Sequence, residues 1–145
     1  MSGKSLIEVI KYWFLLWEVL CFQAFPFLFT VVEKIQLLQR WILVHSVAYY
    51  DYNENIVSDF DYDDNAKQLA ELKKQYPDEF KRSKYHPYFH DYCSEEDDAH
   101  YTSGFDLLKR VEDTDKDLYR RIWMDAAWAS DLKARYGLGG IKWLT

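Results

Sequence analysis

Cysteine is nearly absent from this chain of 145 residues. The two present stand in unlike settings, Cys21 in an apolar run and Cys93 in a polar one. Such a pair makes no disulfide framework, and a reducing, cytoplasmic setting is the expectation. Basic residues are missing from one stretch altogether: from Asp51 to Asn65 there are acids and no Lys or Arg. With a net charge of −6, that face repels free nucleic acid, because phosphate binding needs cationic neutralisation. No internal repeat and no low-complexity tract is visible. Gly137-Leu138-Gly139-Gly140 has no strand before it and no Lys-Ser/Thr after it, so it reads as a helix end rather than a phosphate loop.

Aromatic residues, by contrast, make up 19% of the chain, and the six Trp are split between its two ends. The length suits one domain able to bury a core. Residues 9–32 are nearly all apolar and have the length of a membrane span. Lys11, Glu18, Gln23 and Pro26 interrupt that run, and a mid-span acid is costly in a bilayer. Three readings stay open for 1–32: a membrane anchor, a buried or partner-binding helix, and an extension upstream of the true start. Localisation is accordingly cytoplasmic, or membrane-associated through this segment.

From Glu33 the apolar period becomes helical. Ile35, Leu38 and Ile42, with Trp41 beside them, form one stripe of a helix running to about Tyr50. Ser58 with Asp61 three residues on resembles a capping box and starts a second helix, Asp59 to about Gln75. Leu69 and Leu72 face inward. Tyr76-Pro77 stops this helix, since a residue before proline avoids the helical region, and Pro77–Phe80 restarts a turn. The short connection makes the two helices antiparallel neighbours. Lys84 to Cys93 alternates aromatic and polar side chains, which predicts a short edge strand, with Ala99–Gly104 as its return strand. Leu107 to about Tyr136 reads as one helix or as two broken near Asp113-Thr114-Asp115, with Leu118, Ile122, Trp128 and Leu132 lining a face. The expected fold is mainly α: an antiparallel helix pair, a small β-hairpin and a C-terminal helix. The expected divisions are 1–32, 33–80 and 81–145.

The helix-hairpin corner concentrates chemistry. His45, Tyr49 and Tyr50 close the first helix; Asp59, Tyr62 and Asp63 open the second, sharing a face at three- and four-residue spacing. Two Tyr and two Asp at a corner are also what packed tyrosines and solvated caps look like. The string His45-x-x-x-Tyr49-Tyr50, then Ile56-Val57-Ser58-Asp59-x-x-Tyr62-Asp63, then Tyr76-Pro77, resembles the N-terminal Ia domain of NAD-dependent bacterial DNA ligases. The resemblance covers about residues 35–78. It implies a domain that closes over NAD and holds its nicotinamide mononucleotide (NMN) half. The implied contacts are Tyr49 and Tyr50 on nicotinamide, Asp59 and Asp63 on ribose, phosphate side or ring, and Tyr62. The chain departs from the family where Asn53-Glu54-Asn55 replaces a proline-bearing loop. It resembles the short ligase-related proteins of phages and low-GC bacteria, whose threonine- and glycine-bearing segment before a C-terminal helix is similar to Thr102-Ser103-Gly104-Phe105. No lysine stands in a K-x-D-G motif, which covalent adenylation needs, so a complete ligase is not expected.

Other chemistry is thinner. His86, His90, Cys93 and His100 are zinc-ligand types, but their spacing matches no closed set, and on a strand Cys93 would point away from the two His. Acids around Cys93 disfavour a thiolate. The expectation is a non-catalytic ligase-related module that binds NMN or NAD, with no metal. The alternative is an accessory interaction protein, membrane-held or not, in which the motif is scaffold and the partner is a protein.

Overall fold

The computed structural model describes residues 29–51, 59–93 and 102–136. Six helices occur among them and no strand: α1 (Val31–Asp51), α2 (Asp59–Gln75), α3 (Pro77–Arg82), α4 (His86–Phe89), α5 (Gly104–Thr114) and α6 (Lys116–Tyr136).

Helix α1 is the axis of the fold. A reciprocal capping box starts it. The Glu33 amide donates to Thr30 Oγ1 at 3.2 Å, and the Thr30 amide donates to Glu33 Oε1 at 3.1 Å. Ile35 and Leu38 are fully buried, as their stripe predicts. From Trp41 to Ala48 every residue is buried, because α2, α3, α5 and α6 all pack on α1. A helix buried all round carries apolar residues on every face, which is what Trp41, Ile42, Leu43, Val44, Val47 and Ala48 supply.

Helix α2 runs back along α1. Near its start Tyr62 meets Ser46, and just past its end Ser83 accepts from Gln39 Nε2 at 3.0 Å while Lys84 N donates to Gln36 Oε1 at 3.0 Å. That ordering is antiparallel. Leu69 is buried and Leu72 half-buried, as expected. Pro77 begins α3, where a missing N–H costs nothing, and Phe80 is driven into the core at 1% exposure.

The β-hairpin expected over 84–104 is not formed where the structure describes it. Tyr85, Tyr88, Phe89 and Tyr92 are the buried residues of that stretch. Their spacing is i, i+3, i+4, i+7, the period of a helix, and not the alternation of a strand. One helical turn, α4, results, and Pro87 fits its first turn, where the missing N–H needs no partner. The supposed return strand ends in α5: Ser103 caps it by accepting from the Asp106 amide at 3.2 Å, and Gly104 is its first residue. Residues 99–101 of that strand lie outside the described residues.

The C-terminal region is two helices, broken as the Asp-Thr-Asp signal predicts. Asp115 sits between them at φ −141° and ψ 86°, and its Oδ1 accepts from the Leu118 amide at 3.0 Å. Leu118, Ile122, Ala126 and Ala129 bury the inner face of α6 against α1. Leu132 and Gly137–Gly140 lie outside the residues whose side chains are described. Arg40 ties α1 to both flanks, donating to Tyr85 Oη at 3.1 Å and pairing with Asp125 of α6.

Among the described residues no helix is long and apolar enough to cross a membrane. The apolar run 9–32 lies almost wholly outside them, as does Cys21.

Candidate functional site

The corner between α1 and α2 is built on Ser46. Its hydroxyl donates to the Ile42 carbonyl at 2.6 Å, which uses its one proton. The Tyr62 hydroxyl, 3.0 Å away, must therefore be the donor to Ser46 Oγ. Tyr62 is half-buried and its ring lies 5.8 Å from that of Trp41. So the phenol predicted for the site braces the start of α2 against α1.

A third element closes on the same spot. Gly104, the first residue of α5, stands where a Cβ would lie 2.3 Å from Ser46 Oγ, 2.9 Å from Ser46 Cβ and 3.0 Å from Tyr62 Oη. Only a hydrogen fits there. The approach brings the next residue, Phe105, to the end of α1. Tyr50 is one turn beyond Ser46 on the same helix face, and its ring meets that of Phe105 edge-on at 5.9 Å. Tyr50 in turn makes an edge contact with Tyr49 at 4.9 Å and 87°. All three rings are about half exposed, at 52%, 45% and 56% for Tyr49, Tyr50 and Phe105. Together they form an exposed aromatic patch at the end of α1 and the start of α5.

The carboxylates are placed less completely. Asp59 opens α2, one turn before Tyr62, and its side chain lies outside those described. Ser58 and the Asp61 side chain do so too. Asp63 is exposed. Its charge is among those that push the Tyr92 phenol above its ordinary range, after burial, which is the largest cause, and after the Tyr62 and Cys93 groups. Tyr92 donates to the Ala66 carbonyl at 3.3 Å, so it lies beneath the first turns of α2.

His45 does not join the corner. It is 3% exposed and its ring packs 4.3 Å from that of Trp41, on the inner side of α1. Burial pushes its imidazole down to about 3, so it is neutral across the ordinary range of pH. Sequence spacing put it one turn before Tyr49 without showing which way it turned.

The rest of α5 is anchored. Arg110 makes a two-pronged contact with Asp91, at 2.7 and 3.0 Å, and donates to the Tyr88 carbonyl at 2.9 Å. The hydrogen bonds from Arg110 hold the Asp91 carboxyl at about 2. His86 and His90 lie on and just after a helical turn rather than on a strand, and His100 is outside the described residues. No group of three or more metal-ligand side chains gathers among the described residues.

Ser46, Gly104 and Phe105 are the parts of this corner that spacing did not mark. Gly104-Phe105 carried a faint signal through the resemblance; Ser46 carried none.

The described helices thus define a small α-helical scaffold with an exposed aromatic and acidic corner. Residues 29–83 match the family model described as the DNA ligase-like, N-terminal NAD+-binding domain. That span takes in α1, α2 and α3, and it bears out the resemblance carried by the Tyr49-Tyr50 and Asp59-x-x-Tyr62-Asp63 motifs. The match covers less than half of the chain, and it makes this segment similar to that domain. No curated protein and no solved structure matches the chain.

Proposed function

We propose that this chain is a nicotinamide-nucleotide-binding module, taking NMN or the NMN half of NAD at the α1–α2 corner without itself carrying out adenylation. The observation that carries the reading is the NAD+-binding family match over 29–83 on a segment whose motif tyrosines, Tyr49 and Tyr50, are held exposed. In this reading the two rings cover the nicotinamide ring. Asp59 and Asp63 accept hydrogen bonds from ribose hydroxyls or the carboxamide, and Asp63 offsets the pyridinium charge. Tyr62 forms the floor, fixed by Ser46. Binding without adenylation is the reading supported by these 145 residues, in which no lysine stands in a K-x-D-G motif.

Calorimetric titration of the full chain with NMN, NAD and AMP tests this. NMN and NAD are expected to bind and AMP to fail, and Tyr49→Ala and Asp63→Ala are expected to abolish binding while leaving thermal melting unchanged, since both side chains are exposed. No heat with millimolar NMN, or binding indifferent to both substitutions, would refute the reading.

A further inference from the structure

We infer that Phe105 of α5, which lies outside the family-matched segment, is a third ring of the same site and stacks with Tyr50 on the charged pyridinium ring of the nicotinamide nucleotide. This rests on the nucleotide-binding reading above and adds to it a residue that the matched span, 29–83, does not contain.

Among the described residues Phe105 takes no part in the buried core, and its ring meets that of Tyr50. The buried side of α5 is made by Gly104, Leu107, Leu108 and Val111, and Phe105 projects from it at 56% exposure. An apolar ring so exposed gains little from burial in this fold. Yet its position is tightly set. Gly104 is pressed onto Ser46 and Tyr62. Ser103 caps the helix through the Asp106 amide. Thr102 Oγ1 donates to Asp91 at 3.4 Å, and Arg110 clamps the same carboxylate one and a half turns further along α5. These contacts pin both ends of the segment that bears Phe105.

The result is a row of three rings, Tyr49, Tyr50 and Phe105, in successive T-shaped contacts at 4.9 and 5.9 Å. Each such contact sets one ring's edge against its neighbour's face, and with all three rings about half exposed, part of the ring surface stays open to solvent. Negative ring faces attract a flat cation, and Asp63, next to Tyr62 in α2, is an exposed acid on the neighbouring helix. A pyridinium is such a cation; its reduced, neutral dihydropyridine form is not. The site should therefore prefer NMN over reduced NMN, and part of that preference should belong to Phe105.

Titrations of the full chain with NMN, reduced NMN and AMP, on wild type, Phe105→Ala, Phe105→Leu and Asp63→Ala, separate the outcomes. The expected result is NMN binding weakened by about five- to tenfold in both Phe105 variants, a reduced discrimination against reduced NMN, and unchanged melting. NMN binding lost in Asp63→Ala but unchanged in Phe105→Ala would overturn this inference and leave the two-tyrosine site standing. Full recovery in Phe105→Leu would overturn it as well, because apolar cover and not a ring face would then be at work. Absence of NMN binding by wild type would sink the nucleotide reading and this inference with it.

Discussion

Substituting His45 by phenylalanine should remove a specific part of the acid sensitivity of this fold. The imidazole is 3% exposed, packed 4.3 Å from the Trp41 ring, and its folded-state pKa is about 3 against an ordinary 6.5. The unfolded chain thus binds a proton that the folded chain refuses throughout the interval between those two values. Stability rises with pH in that window and falls as pH drops below 6.5. From pH 7 to pH 4.5 the linkage integral amounts to about 2–3 kcal/mol, a sizeable share of the roughly 5–15 kcal/mol by which a domain is stable. Asp91 acts in a lower window. Its folded value of about 2 against 3.8 gives stability that is intact above 3.8 and is lost as pH falls toward 2. The two effects therefore separate along the pH axis. Urea melts of wild type and His45→Phe at pH 7 and 4.5 measure the difference directly, and carboxylates common to both proteins cancel. Phenylalanine keeps a ring against Trp41 and adds volume, so its absolute stability falls by about 1–3 kcal/mol. What matters is the slope: wild type should lose about 2–3 kcal/mol more than the variant. Equal losses would refute the argument, because they would mean that His45 is protonated in the folded state or titrates as it does unfolded.

Gly104→Ala should destabilise by about 1–3 kcal/mol despite the better helix propensity of alanine, because its Cβ would fall 2.9 Å from Ser46 Cβ, an atom that cannot rotate away; an unchanged melting temperature would refute the close packing. Thr30→Ala should cost about 1 kcal/mol by thermal or urea melting through loss of the capping box on α1. Glu33 is the partner in that box, and the hydrogen bonds from Thr30 hold its carboxyl below 4.5, so its contribution is complete above 4.5 and is lost as pH falls below that through the lower folded value; Glu33→Gln should flatten that dependence. Arg110→Ala should lower stability by about 0.5–1 kcal/mol, a modest figure because Asp91 and Arg110 are partly exposed and screened, and the loss should shrink in high salt.

The elements read most fully in the sequence were those with long regular periods. The stripe Ile35, Leu38, Ile42 made α1 visible, and Tyr76-Pro77 marked the end of α2, which the structure puts at Gln75. Asp113-Thr114-Asp115 marked the break between α5 and α6, with Asp115 as the cap. The start of α1 is legible too, since Thr30-x-x-Glu33 has the spacing of a capping box; the apolar run that precedes it without a break masks that boundary and makes Glu33 look like the first helical residue. The failure over 84–93 came from taking aromatic-polar alternation at face value. Four aromatics at 85, 88, 89 and 92 have helical spacing, and Pro87 suits a helix's first turn as well as a strand's edge. At the corner, helical spacing and resemblance marked Tyr49, Tyr50, Asp59, Tyr62 and Asp63. Neither could show that His45 turns inward, which depends on Trp41 and the helices beyond it, or that residue 104 comes to rest on residue 46. No local period connects positions that far apart.

That long-range contact also explains how the ends of α1 and α2 are held together in the described structure. Rings at the end of a two-helix hairpin would be loosely held, since an isolated pair buries little and a ligand would have to order it. Here α1 is buried from Trp41 to Ala48, so Tyr49 and Tyr50 project from the most constrained helix of the fold. Tyr62 is fixed to that helix by a hydrogen bond, and α5 lies across both through Gly104. The core thus orders the ends of α1 and α2 without a bound molecule. In the nucleotide-binding reading proposed above, what the C-terminal helices contribute is therefore position: they hold two tyrosines still and set a phenylalanine beside them.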